Sequence, residues 1–202
     1  EQYAGRTGIK IGLPVELAVQ YDPILRWQSY YGSNLPGDIR TAKTHGVSAV
    51  TTSEPFLLEA LEYGWREDAY WVASHVFDAQ IFRYNQTGQL TSLSEDHIKG
   101  KPYFAYNAIL VDEKPFTSVT AKRTDVSDKR GISTKGSFGW WALLRHPYTF
   151  ALLESLAHLQ TDGGWYAGLF EADMSANKIL TLNTNAVVLE ALHYKALGPL
   201  VK

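Results

Sequence analysis

The sequence has no cysteine. That excludes disulfides and thiolate metal sites, but it leaves the compartment open, since cytosolic and exported chains alike can lack Cys. An excess of charge is missing too: 19 Lys and Arg against 21 Asp and Glu give a formal net charge of -2. Nucleic-acid binding needs a basic face, so the balance argues against that partner. No apolar run approaches the roughly 20 residues of a membrane-spanning helix. The first residues, EQYAGRTGIK, lack the apolar segment of a signal peptide. His45, His75, His97, His146, His158 and His193 are scattered, without HExxH or other close ligand spacing, and GxSxG, P-loop and GxGxxG motifs are absent. Metal, nucleotide and serine-hydrolase readings therefore lose their usual support, and neither a metal nor a cofactor is expected.

Aromatic residues are abundant, at 13% with six Trp. Some must be core. The excess, lying in polar stretches that contain Gly, suggests flat surfaces for stacking against rings. The length allows one domain with a sizeable core.

Residues 1–46 show no long period and read as mostly loop, with at most short helices near Val15–Gln20 and Pro23–Tyr31; Tyr31-Gly32 opens a turn, close to Trp27 and Tyr30. From Val47 the pattern sharpens. Ser53 as N-cap and Pro55 in the first turn start a helix to Tyr63, with Leu57, Leu58 and Leu61 as its apolar stripe and Gly64 as its end. A second helix, about Glu67 to Tyr84, places Ala69, Val72, Ala73, Val76 and Phe77 at three- and four-residue steps. The pair reads as an antiparallel hairpin. Ser94-Glu95-Asp96-His97 lies in a turn-rich stretch, and 101–122 reads as a small β excursion. TDVSDKRGIST reads as a polar, mobile stretch. A second helical pair follows, from Thr134 to His146 and from Pro147 to Gln160, broken by Asp162-Gly163-Gly164. A loop holding Trp165, Tyr166, Glu171, Asp173 and Asn177 leads into a last helix, whose start is crowded by Thr181, Asn183, Thr184 and Asn185 and whose end is Gly198-Pro199. The expectation is a mainly α fold: helical pairs around an axis, loops gathered at one end.

VTTSEPFLLEALEYGW, TGQLTSLSEDHI with PYFAYNAILVD, STKGSFGWWALL and the stretch from Gly163 to Leu200 together resemble the bacterial domain-of-unknown-function family 3131, over roughly Gly46 to Leu200. That family is met in proteins of the bacterial envelope and of exopolysaccharides, and is similar in style to α/α-toroid glycoside hydrolases. The resemblance implies an α/α toroid, a polysaccharide or oligosaccharide ligand, and a periplasmic or envelope location. The helices counted are too few for a whole toroid. The expectation is therefore a single domain over 1–202 with an incomplete toroid, or the C-terminal part of a larger one completed by a missing segment or a partner chain.

Glycoside hydrolysis needs two carboxyl groups across the scissile bond, one with a raised pKa to donate a proton. Glu54 and Glu171 are the first candidates, since both sit in the resembling motifs near helix starts; Asp96 and Asp173 stand in reserve. The plainer roles are a helix N-terminal charge for Glu54 and an ion pair for Glu171. Ser94-Glu95-Asp96 reads as a ligand site, a cation site or a turn. Trp65, Trp140, Trp165 and Tyr166 are candidates for stacking on sugar. Trp140 and Trp141 are adjacent on a helix, so at most one can face a cleft. Asn183 and Asn185 read as a hydrogen-bonding rim or as helix caps. Two rival readings remain beside the hydrolase: a non-catalytic glycan-binding module, and a helical scaffold for a protein partner.

Overall fold

The computed structural model describes residues 2–30, 32–46 and 49–201. The N-terminal segment is not mostly loop. Helix α1 (Gln2–Lys10) and a 3-10 turn at Glu16–Val19 lead into a hairpin of β1 (Leu25–Tyr30) and β2 (Ser33–Asp38). Pro36 and Gly37 lie inside β2, and both weaken a strand signal in sequence. A two-stranded sheet tolerates them because every strand is an edge. Residue Tyr31, in the expected turn, lies outside the described residues. Helix α2 (Ala42–His45) and strand β3 (Val50–Thr51) follow.

Helices α3 (Glu54–Tyr63) and α4 (Glu67–Thr87) form close to where the apolar spacing puts them. Ser53 holds the N-cap position of α3, but its hydroxyl accepts from Trp140 Nε1 (3.1 Å) and Gln80 Nε2 (3.3 Å) rather than capping. Beyond α4 the chain makes short strands: β4 (Glu95–His97), β5 (Phe104–Asn107), β6 (Leu110–Val111), β7 (Lys114–Pro115), β8 (Ser118–Val119) and β9 (Gly131–Ser133). So Glu95-Asp96-His97 is a strand, not a turn, and TDVSDKRGIST ends in one. Helices α5 (Thr134–Leu143) and α6 (Pro147–Leu156) precede β10 (Gln160–Thr161), β11 (Gly164–Trp165), β12 (Gly168–Phe170) and β13 (Ala176–Asn177). Helix α7 (Leu182–Leu197) closes the set.

The expectation of a mainly α, incomplete toroid is thus wrong. The described residues are 46% helix and 20% strand, with thirteen strands in five small antiparallel sheets. The fold is mixed α/β. The reason lies in strand length: most strands span only two to four residues, too few for a twofold alternation to register against the noise of a loop.

Helix α5 is the hub. It packs against α3, α6 and α7, and Thr134 through Trp140 are all buried. Such a helix must be uncharged on nearly every side, or have its charge paired. Small residues let its neighbours approach: a Cβ at Gly139 would stand 2.7 Å from Leu57 Cδ1. Trp140 is fully buried in the main core with Leu57, Val76, Phe77, Ile109, Leu152 and Leu169. Helix α4 packs on β2, and the sheet β13-β12-β9 runs directly into the N-terminus of α5.

Candidate functional site

Three helix N-termini and one strand meet at a single polar cluster. Glu54 is the first residue of α3, Lys135 the second of α5, and Asn183 the second of α7. The Lys135 ammonium donates to Glu54 Oε2 and to Asn183 Oδ1 (2.6 Å), and Asn183 Nδ2 donates to Glu54 Oε1 (3.0 Å). The three side chains close a ring of hydrogen bonds. Lys135 is only 2% exposed and Glu54 12%. An ammonium buried this deeply costs several kcal/mol unless it is paired, so Glu54 and Asn183 account for its presence in an otherwise apolar helix. Asn183 itself is exposed, so the cluster reaches solvent on that side.

Strand β4 supplies two more carboxyls, on alternate faces. Glu95 is half-buried, and its Oε1 accepts from Thr52 Oγ1 at 3.1 Å. Burial first, and then the neighbouring Glu54, push its carboxyl above the usual range, against Thr52 and Lys135. Asp96 is buried, and accepts from Ser133 Oγ (3.0 Å) and Asn107 Nδ2 (3.4 Å). Burial raises it to about 6, with Glu54 adding and Lys135 opposing. Asn107 is held in turn by Ser118 Oγ at 2.8 Å. Asp96 is therefore a tie between β4, β5 and β9, while Glu95 keeps one carboxyl oxygen without a hydrogen-bond partner among the described residues.

Glu171 is elsewhere. It follows β12 and is clamped by Arg83 Nη2 (2.7 Å) and Arg130 Nε (3.1 Å), with its side chain 8% exposed. Its hydrogen bonds go to these two guanidinium groups and not to the Glu54 cluster. The pairing of Glu54 with Glu171 across one bond has no geometric support; the carboxyls brought together are Glu54, Glu95 and Asp96. Asp173 is exposed in a turn, where the Ser175 hydroxyl and N–H hold its carboxyl below the usual range.

The aromatic candidates divide as well. Trp140 is core. Trp165 is half-buried with its ring 4.9 Å from Phe138, and Trp65 is half-buried against Tyr70 at 5.4 Å. Tyr166 accepts at its carbonyl from Thr134 Oγ1 (2.7 Å), which fixes the loop over the start of α5. Asn185 clamps the same loop: its Oδ1 accepts from Trp165 N–H (2.7 Å) and its Nδ2 donates to the Trp165 carbonyl (3.1 Å). Neither Asn caps α7, because Thr181 does so, accepting from Thr184 N–H at 3.1 Å. Sequence reasoning missed Lys135 and Thr52. The signal for the first was there: a lone Lys within STKGSFGWWALL, a stretch otherwise small or apolar.

A family model described as a protein of unknown function (DUF3131) matches residues 1–198. The chain belongs to the DUF3131 family. The DUF3131 match includes the N-terminal hairpin, and so extends well before Gly46, where the sequence resemblance began. No curated protein and no solved structure matches the chain, and a kinship with glycoside hydrolases finds no support there. Among the described residues no helix of this DUF3131 chain is long and apolar enough to cross a membrane.

Proposed function

We propose that this protein is a carbohydrate-active enzyme of the bacterial envelope that cleaves a polysaccharide by carboxyl acid/base chemistry, with Glu95 as proton donor and Glu54 as its carboxylate partner. The observation that carries the reading is the convergence of α3, α5, α7 and β4 on one cluster. Two carboxyls there have contrasting surroundings. Glu95 sits in a half-buried setting that favours its protonated form. Glu54 has both oxygens held by the Lys135 ammonium and the Asn183 amide. A carboxyl raised above the usual range beside a second carboxyl is suited to donate a proton. Asp96 has the position of a support, since both its oxygens are taken up by neighbours. The envelope setting rests on the sequence resemblance.

A second reading, a glycan-binding module without catalysis, draws on the same ring: a carboxylate saturated by Lys135 and Asn183 has little left to offer a reacting atom. One assay separates the two. Release of reducing ends is measured on β-glucans, α-glucans and amino-sugar polymers. The enzyme reading expects product from the parent protein and a drop of at least 100-fold, in the range of a lost general acid, for Glu95→Gln and for Glu54→Gln. Binding without product from the parent protein supports the module instead.

A further inference from the structure

A cleft of about 500 Å³ lies beside the cluster, within the size range of small-ligand sites. Thr51, Thr52, Pro55 and Phe56 form one wall. This segment runs through Glu54, and Thr52 is the residue that holds Glu95. The carboxyls are not themselves in the lining; the cleft wall connects to them through the segment that carries Glu54 and through the Thr52–Glu95 hydrogen bond.

The facing wall is the β1–β2 hairpin. Residues opposite each other across two strands share a sheet face, and so do residues two apart along one strand. Leu25 pairs with Asp38, and Trp27 with Pro36. Leu25, Pro36 and Asp38 all line the cleft. Trp27 must stand on that same face, at the end of the row. There its ring lies 4.9 Å from Trp71 and 4.7 Å from His75, both on α4, whose Val72 also lines the cleft. Trp71 remains 49% exposed. Single exposed apolar residues are ordinary. A solvent-facing indole packed on a second indole, on two elements that also line the cleft, is a ready platform. Farther in, the rings of Tyr21 and Phe56 lie nearly parallel, 6.1 Å apart. The polar groups of the lining are hydroxyls, the Gln2 amide, the His45 imidazole and one carboxylate–guanidinium pair, Asp38 with Arg40.

Flat rings, hydroxyls, an amide and an imidazole, with the one carboxylate in the lining paired to Arg40, suit an uncharged pyranose, which offers C–H faces to the rings and hydrogen-bonding hydroxyls to the rim. We infer that this cleft, extended by Trp27 and Trp71, is a subsite for neutral hexose units of the polysaccharide and leads the chain past Thr52 to Glu95. The inference rests on the carbohydrate reading above.

The test titrates the Glu95→Gln protein with hexamers of β-1,3-, β-1,4- and α-1,4-linked glucose and of N-acetylglucosamine, following tryptophan fluorescence and binding heat, with a galacturonate hexamer as the charged probe. At least one neutral hexamer should give saturable binding. Adding Trp71→Ala or Trp27→Ala should raise its Kd at least tenfold while circular dichroism stays unchanged. Trp71→Phe should recover much of the loss. The subsite is overturned if no neutral hexamer binds, if Trp71→Ala leaves Kd unchanged, or if the galacturonate hexamer binds as tightly. Tryptophan-dependent binding with no product from the parent protein would sink the hydrolase reading and leave the subsite standing. Product that Glu95→Gln abolishes, with KM unmoved by Trp71→Ala, would do the reverse.

Discussion

At the residue scale, a few polar side chains carry more than their neighbours. Lys135 is the least expected of them, a cation at the start of the most buried helix, and it organises both Glu54 and Asn183. Asp96 gives the clearest pH signature. Burial raises its carboxyl from 3.8 to about 6, so the folded state binds this proton more tightly than the unfolded state. Its contribution to stability is then complete below about 3.8 and is lost as pH rises to about 6, amounting to no more than roughly 3 kcal/mol. Glu190, pushed to about 7 by burial and then by Glu62 and Glu54, extends the same slope upward. The expected outcome is a urea midpoint that falls between pH 4 and 7, and a shallower fall for Asp96→Asn. A midpoint that rises over this range would contradict the assignment. Glu54 and Glu95 could be picked out from the sequence as carboxyls near a helix start and in a polar run. That they meet each other rather than Glu171 could not, because their partners Lys135 and Thr52 lie 81 and 43 residues away.

At the scale of elements, the helices were legible and most strands were not. Helices α3, α4, α5, α6 and α7 announce themselves by apolar spacing of three and four and by punctuation at Gly64, Pro147, Thr181 and Gly198. The sheets are built from strands too short to show a period, and they depend on contacts distant in sequence. Gly168 marks one such contact. Its backbone sits at φ +158, and a Cβ there would stand 2.1 Å from the Ile132 carbonyl oxygen, where β12 pairs with β9. Gly168→Ala should therefore push the two strands apart and lower the thermal midpoint, with a loss of about 2 kcal/mol or more. The Arg83–Glu171–Arg130 clamp joins α4 to the same sheet. Glu171→Gln leaves two guanidinium groups short of a buried counter-charge and should cost about 3–5 kcal/mol in urea unfolding. Polysaccharide turnover per folded molecule should stay near that of the parent. Lost turnover with stability intact would return Glu171 to the reacting centre.

At the scale of the whole molecule, the five small sheets serve as struts between helices. β4 brings Glu95 to the α3 and α5 termini, β12 and β9 fix the entrance to α5, and the β1–β2 hairpin walls the cleft. The excess of Trp and Tyr noted in the sequence divides accordingly: Trp140 fills the core, Trp165 seals a loop, and Trp71 faces outward with the half-buried Trp27 packed on it. Composition alone shows the excess but not this division; the hairpin register, for one, sets the face on which Trp27 stands. Where the sugar sits is read most directly from a crystal structure of the Glu95→Gln protein soaked with a neutral hexasaccharide. Sugar rings should lie along the cleft beside Trp27 and Trp71, with a glycosidic oxygen within about 3 Å of the residue-95 side chain and Glu54 beside the same sugar. A saccharide seated at the Arg83–Glu171 clamp, or bound with residues 54 and 95 both beyond reach, would contradict this placement.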